Sequence, residues 1–172
     1  MMVTGSEIKE AINRWKLTLE MVEKRFKPSL MVFPGDEKDH PDELALQIMT
    51  AEYAIARLQY AQTLYNNHVT VEVEGAKMSL AEAVRLVGSA GRMSKRWREA
   101  IVEERDRFGP RDDLTRKADE IYAQRVLAAE EVTKRAKRAL KRASALRNAI
   151  GGGNNTSVAA ADIQLDPSLL AE

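Results

Sequence analysis

PDELALQIMTAEYAIARLQYAQTLYNNHVTVEVEGAKMS, residues 41–79, decides the fold, because the period of its apolar residues changes once, at a definable place. Leu44, Ile48, Ala51, Ile55, Leu58, Gln62 and Tyr65 follow in alternating steps of four and three, the spacing that keeps one helix face against a neighbouring helix. Pro41 suits a first helical position, with Asp42 and Glu43 near the positive end of the helix dipole. Asn66-Asn67 ends the run, and the period becomes two: Val69, Val71 and Val73 alternate with Thr70, Glu72 and Glu74. Glu74-Gly75 is a turn signal and Ala76-Lys77-Met78 a short return strand, giving a β-hairpin over about 69–78. Such a hairpin is marginal alone, so it must pack on a helix or pair with another copy.

Upstream, Thr4 and Glu7 have the spacing of a capping box. Ile8, Ile12, Trp15, Leu19, Val22 and Phe26 then repeat the heptad steps until Pro28, which is expected to stop the helix. Ser29 to His40 is a connector with a Pro34-Gly35 turn and an acidic second half, Asp36-Glu37-Lys38-Asp39. Two heptad seams joined by a short connector predict an antiparallel helical hairpin.

Downstream, Ser79 and Glu82 open a third helix carrying Leu80, Val84, Val87, Trp97 and Ile101. Its interior holds Gly88-Ser89-Ala90-Gly91, which predicts a close approach of a neighbouring backbone. Gly109-Pro110 breaks the chain. A last helix is expected from about Asp112 to Ile150, on the order of 55–60 Å long. Its seam is Ile121, Ala128, Val132, Ala136, Ala139, Ala143, Leu146 and Ile150; the alanines bury little area each, so this face is expected to be the oligomer interface. Residues 151–157, Gly151-Gly152-Gly153-Asn154-Asn155-Thr156-Ser157, have the composition of a flexible linker. The tail, 158–172, has apolar Ile163, Leu165, Leu169 and Leu170 and three acids, Asp162, Asp166 and Glu172, and is expected to dock on the chain's own body, a neighbouring subunit or a partner. The domain division is thus a helical bundle over 1–150, the linker and the docking tail.

The whole composition agrees. Of 172 residues 44% are hydrophobic, 31% charged and 5% aromatic, with nine Gly and five Pro, the profile of long helices. The absence of cysteine excludes disulfides, iron–sulfur clusters, thiolate zinc sites and cysteine nucleophiles. No run of about 18 apolar residues is present, and the first residues lack the regions of a signal peptide. A cytoplasmic protein with no membrane association is the expectation.

Motifs for chemistry are sparse. Glu37-Lys38-Asp39-His40 matches one Glu-x-x-His element of a di-iron bundle, but that site needs two on helices. Glu103-Glu104 and Glu130-Glu131 are adjacent pairs that point to different helix faces. Tyr53, Tyr60, Tyr65 and Trp15 read as packing residues. No cofactor, metal or catalytic residue is assigned, and no enzyme is expected. The strong charge feature is Lys134, Arg135, Lys137, Arg138, Lys141, Arg142 and Arg147, seven cations with no acid between them. Pairing with the acidic segments around 36–43 and in the tail, or plain solvation, is the expected use, with an anionic membrane surface as a minor alternative. Phosphate binding by Lys134, Arg135, Lys137, Arg138, Lys141 and Arg142 is the rival, although no aromatic residues interleave to stack bases.

The order Pro34-Gly35-Asp36-Glu37, His40-Pro41-Asp42-Glu43-Leu44, Asn66-Asn67, Thr70, Gly75 and Ser79-Leu80-Ala81-Glu82-Ala83-Val84 resembles the septicolysin-like family of small bacterial helical proteins. The layout extends over residues 6–150. Arg85-Leu86 stands where the family's Arg-Asp pair is expected, its Asn-Trp-Thr ending is missing, and the Gly-rich segment with its tail is additional. The resemblance implies a helical-hairpin fold and oligomerisation, and it transfers no catalytic residue.

The combined reading is an all-α, elongated antiparallel bundle of coiled-coil hairpin type with one small β-hairpin. It is expected to be a structural or scaffolding homo-oligomer, with a protein partner as the other candidate for the tail. Its rivals are a nucleic-acid-associated protein and a component of a virion or large particle. The nucleic-acid reading makes its own prediction, checked by fluorescence anisotropy of labelled oligonucleotides. Binding must fall steeply with salt and vanish when Lys137, Arg138, Lys141 and Arg142 become Glu; salt-insensitive or absent binding sinks it.

Overall fold

A computed structural model describes residues 1–31, 39–107 and 127–171, with side chains outside 101–107. The elements are β1 (Met2–Val3), α1 (Gly5–Ser29), α2 (Pro41–His68), β2 (Thr70–Val73), β3 (Ala76–Ser79), α3 (Leu80–Arg107), α4 (Ala129–Asn154) and β4 (Val158–Ala159), followed by 3₁₀ turns Ala160–Ile163 and Pro167–Leu170. The fold is helical with a small β-hairpin, as the periodicity predicts. Helix α1 packs along α2, and α3 along α4, so the molecule is two helical hairpins that meet at a common base.

The α1 capping box is formed: the Glu7 amide donates to Thr4 Oγ1 at 3.3 Å, and the Thr4 amide to Glu7 Oε2 at 2.7 Å. Helix α1 runs through Pro28 and ends at Ser29, two residues later than expected. Proline's fixed φ is helical, and its missing donor falls in the last turn, where the Lys24 carbonyl faces an exposed helix end. His40 caps α2, its Nδ1 accepting from the Asp42 amide at 3.3 Å, and Asp39 pairs with Arg25 across the connector. The expected Pro34-Gly35 turn and Asp36, Glu37 and Lys38 lie outside the described residues.

Strands β2 and β3 pair antiparallel with Val73 opposite Ala76. Glu74 and Gly75 both have positive φ, 53° and 84°, the requirement of a type I′ hairpin turn. Val69, Val71 and Val73 are all buried, and the Leu80 amide donates to the Val69 carbonyl at 2.8 Å, which fastens the hairpin to the start of α3. Ser79 Oγ accepts from the Glu82 amide at 3.1 Å.

The base core joins Val3, Ile8, Leu58, Tyr65, Leu80 and Leu146 with the chain's end: Val158, Ala160, Ile163 and Leu165 are buried there too. At its centre Tyr65 is fully buried, and its hydroxyl lies 2.7 Å from both the Gly153 and Thr156 carbonyls, sharing one proton between them. Burial pushes the phenol above its ordinary pKa of 10.0 and the Glu7 charge adds to that, against a lowering by the Gly5 amide.

Several expectations are corrected here. Residues 151–154 are not a linker but the last turn of α4, and only 155–157 leave the helix. Gly153 is required by contact: a Cβ there would stand 2.8 Å from Val71 Cγ1 and 3.0 Å from Leu80 Cδ1. The tail, 158–172, is not a separate unit over its described residues: of its expected docking surfaces it takes the chain's own body. Strand β4 pairs antiparallel with β1, a second small sheet that periodicity over two residues cannot announce. Trp15 Nε1 donates to the Leu169 carbonyl at 3.1 Å and Arg14 to the Leu170 carbonyl at 2.9 Å. Helix α4 begins at Ala129, because Leu127 and Ala128 are not helical; Ile121 and the start near Asp112 lie outside the described residues, as does the Gly109-Pro110 break. In α3 the expected Leu80 is buried and Val87 and Trp97 are half-buried, but Val84 is exposed and Ala83 takes its place in the core. Gly88 and Gly91 meet no backbone at all: a Cβ would contact only the ends of Arg92 and Arg147, at 3.5 and 4.0 Å.

These contacts give opposite signs for the same substitution. Gly88→Ala stabilises by about 0.5–1 kcal/mol through helix propensity. Gly153→Ala costs about 1–3 kcal/mol, because Val71 and Leu80 are buried and cannot yield freely. Equilibrium urea unfolding of both variants checks this, and equal effects would refute it.

Tyr65→Phe leaves two carbonyls without their donor, an expected loss of about 1–3 kcal/mol at neutral pH. Above about pH 10 the unfolded chain releases the Tyr65 proton while the folded chain retains it, so wild-type stability falls as pH rises through that range. The Phe variant lacks this component, and its stability difference from wild type therefore narrows between pH 8 and pH 11. A constant difference across that interval would exclude the linkage.

Candidate functional site

The residues singled out from sequence fall on three surfaces. The α4 seam turns inward: Ala143 and Leu146 are buried, and Val132, Ala136, Ala139 and Ile150 are half-buried. Helix α3 is the neighbour of α4, so over its described residues the face expected as an oligomer interface is largely spent inside the chain. Ala128 precedes the helix and is exposed. Of the tail residues, Ile163 and Leu165 are buried and Leu169 and Leu170 half-buried, all against the chain's own base.

The basic stripe is divided. Arg135 pairs with Glu131 at 3.0 Å and lies 5.6 Å from the centroid of the Trp97 ring, a cation–π contact that ties α4 to α3. Lys134, Lys137, Arg138, Lys141 and Arg142 are exposed and have no acidic partner among the described residues. Of the two expected uses, solvation holds for these five, and pairing with the acidic segments is not formed among the described residues: Asp39 is taken by Arg25, and Asp166 by the Ser168 amide and hydroxyl at 2.9 and 2.8 Å. The Ser168 amide, then its hydroxyl, hold the Asp166 carboxyl below the usual aspartate range.

Two features were not singled out from sequence. The first is a second apolar seam on α2. Leu46, Met49 and Tyr53 are 65–66% exposed and Tyr60 46%, and Ala56 is exposed between them. Their steps are three, four, three and four, a strict heptad on the side of α2 turned away from α1, about 21 Å long. Tyr53 and Tyr60 are therefore not packing residues of the chain, whereas Tyr65 and Trp15 are. The signal was present in residues 46–60 as a second phase of the same period.

The second is an open groove of about 530 Å³ between α3 and α4. Leu86, Ala90, Met93 and Ala139 form its apolar floor, and Arg92, Arg96 and Arg142 stand along it. At the base, His68, Ser157 and Asp162 line a shallow depression, but no hydrogen bond joins any two of them. Among the described residues no three His, Cys, Asp or Glu side chains are grouped to hold a metal ion, and no helix is long and apolar enough to cross a membrane.

No protein-family model matches this sequence, and no curated protein matches it. The chain is similar to a solved structure described as a functionally unknown conserved protein from Corynebacterium diphtheriae, with 17% identity and a TM-score of 0.63. The similarity covers 92% of this chain and 100% of the other, and it shows a shared fold.

Proposed function

We propose that the protein is a non-enzymatic, cytoplasmic assembly module whose α2 helices dock side by side in a homo-oligomer. The observation that carries this reading is the exposed Leu46–Tyr60 seam. A strict heptad is the pattern of a helix that has a helix partner, and α1 occupies the other face of α2. A second copy is favoured by charge. Glu52 and Arg57 are exposed, flank the seam on opposite sides and are five residues apart, the offset at which two parallel copies exchange ion pairs. The resemblance to the septicolysin-like helical proteins supports the same reading, since it implies oligomerisation.

The stretch is short for a coiled coil, so assembly rests on the aromatic and methionine contacts at its centre. Light scattering at physiological salt is expected to give a mass that is a multiple of the chain's. Met49→Glu with Tyr53→Glu reduces it to one chain, with unchanged helicity by circular dichroism. Glu52→Arg weakens assembly and Glu52→Arg with Arg57→Glu restores it. A monomeric wild type, or assembly indifferent to the Met49 and Tyr53 changes, overturns the reading.

A further inference from the structure

The groove between α3 and α4 is a consequence of sequence. Leu86, Ser89, Ala90 and Met93 stand at i, i+3, i+4 and i+7, which puts them on one side of α3. Ala139 of α4 faces them, and with Leu86, Ala90 and Met93 it forms the floor. Arg92 and Arg96 are one turn apart on α3, and Arg142 enters from α4. Lys95 pairs with Glu99 close by, yet none of the three arginines has an acidic partner among the described residues. Three arginine side chains lining a groove with an aliphatic floor are complementary to an oxyanion joined to a hydrocarbon chain. The floor contains no aromatic ring, and Trp97 beyond it is covered by Arg135, so a planar nucleobase finds no stacking surface.

We propose that this groove binds a single-chain anionic amphiphile, its phosphate or carboxylate held by Arg92, Arg96 and Arg142 and its alkyl chain laid on Leu86, Ala90, Met93 and Ala139. The site is independent of the α2 seam, which lies on the other hairpin. The positive field of α3 and α4, where Arg85, Arg98 and Lys141 add to the three arginines, draws such an anion toward the groove.

Isothermal titration of the full chain with octyl phosphate below its micelle-forming concentration tests this. The expected result is one site per chain, with inorganic phosphate at least about tenfold weaker because it lacks the alkyl contact. Arg142→Ala and the pair Arg92→Ala with Arg96→Ala are each expected to weaken binding about tenfold or more while circular dichroism is unchanged, since all three side chains are exposed. Octanoate distinguishes the sources of the headgroup: tighter binding than octyl phosphate supports a fatty carboxylate, weaker binding a phosphate monoester. Met49→Glu with Tyr53→Glu leaves the affinity unchanged. The proposal is overturned if octyl phosphate does not bind, if inorganic phosphate binds as tightly, if the arginine changes have no effect, or if the α2 variant abolishes binding.

Discussion

The Tyr65 hydroxyl holds the two halves of the molecule together. It sits at the end of α2, fully buried, and its proton satisfies carbonyls on both sides of the point where α4 ends and the final segment begins. A buried phenol without a partner is costly, and so are buried carbonyls without donors, so the two elements secure each other's position. The same contact constrains the first helix: a Cβ on Gly5 would stand 2.6 Å from the Tyr65 ring. Gly5 and Gly153 therefore bracket Tyr65 from the two ends of the chain, and β1 pairing with β4 closes the arrangement.

Because the core is concentrated at that base, each hairpin leaves it with its own seam buried and its outer surfaces uncommitted. On the first hairpin the uncommitted surface is apolar, the second seam of α2. On the second it is cationic, an arginine-lined groove with the lysines of α4 beside it. The two surfaces differ in chemistry and lie on different arms, which separates the proposed contact between copies from the proposed capture of a small anion. A shared base lets both be presented without either one carrying the fold.

Much of this architecture is legible in the chain itself. Heptad steps located α1 and α2, the change from period four-three to period two located the β-hairpin, and Thr4 with Glu7 located the first cap; each is a local rule enforced by backbone geometry. Every residue of the expected α1 seam is buried or half-buried. The errors arose where composition stood in for contact. Gly151 to Gly153 reads as a linker, yet Gly153 is helical because Val71 and Leu80 leave no room for a side chain. Gly88 and Gly91 read as a close approach, yet only the side-chain ends of Arg92 and Arg147 come near them.

What the sequence by itself determined is the set of elements and their amphipathic faces, since spacing along one chain fixes which residues share a helix side. Which of two equally periodic faces is buried was decided only in three dimensions. Helix α2 carries a seam through Leu44 and Tyr65 and another through Leu46 and Tyr60, and the first is inside because Tyr65, not Tyr60, meets the carbonyls of Gly153 and Thr156. That partner is nearly ninety residues away along the chain. Local periodicity contains no term for so distant a contact, and the tail's place in the core follows from the same long-range geometry.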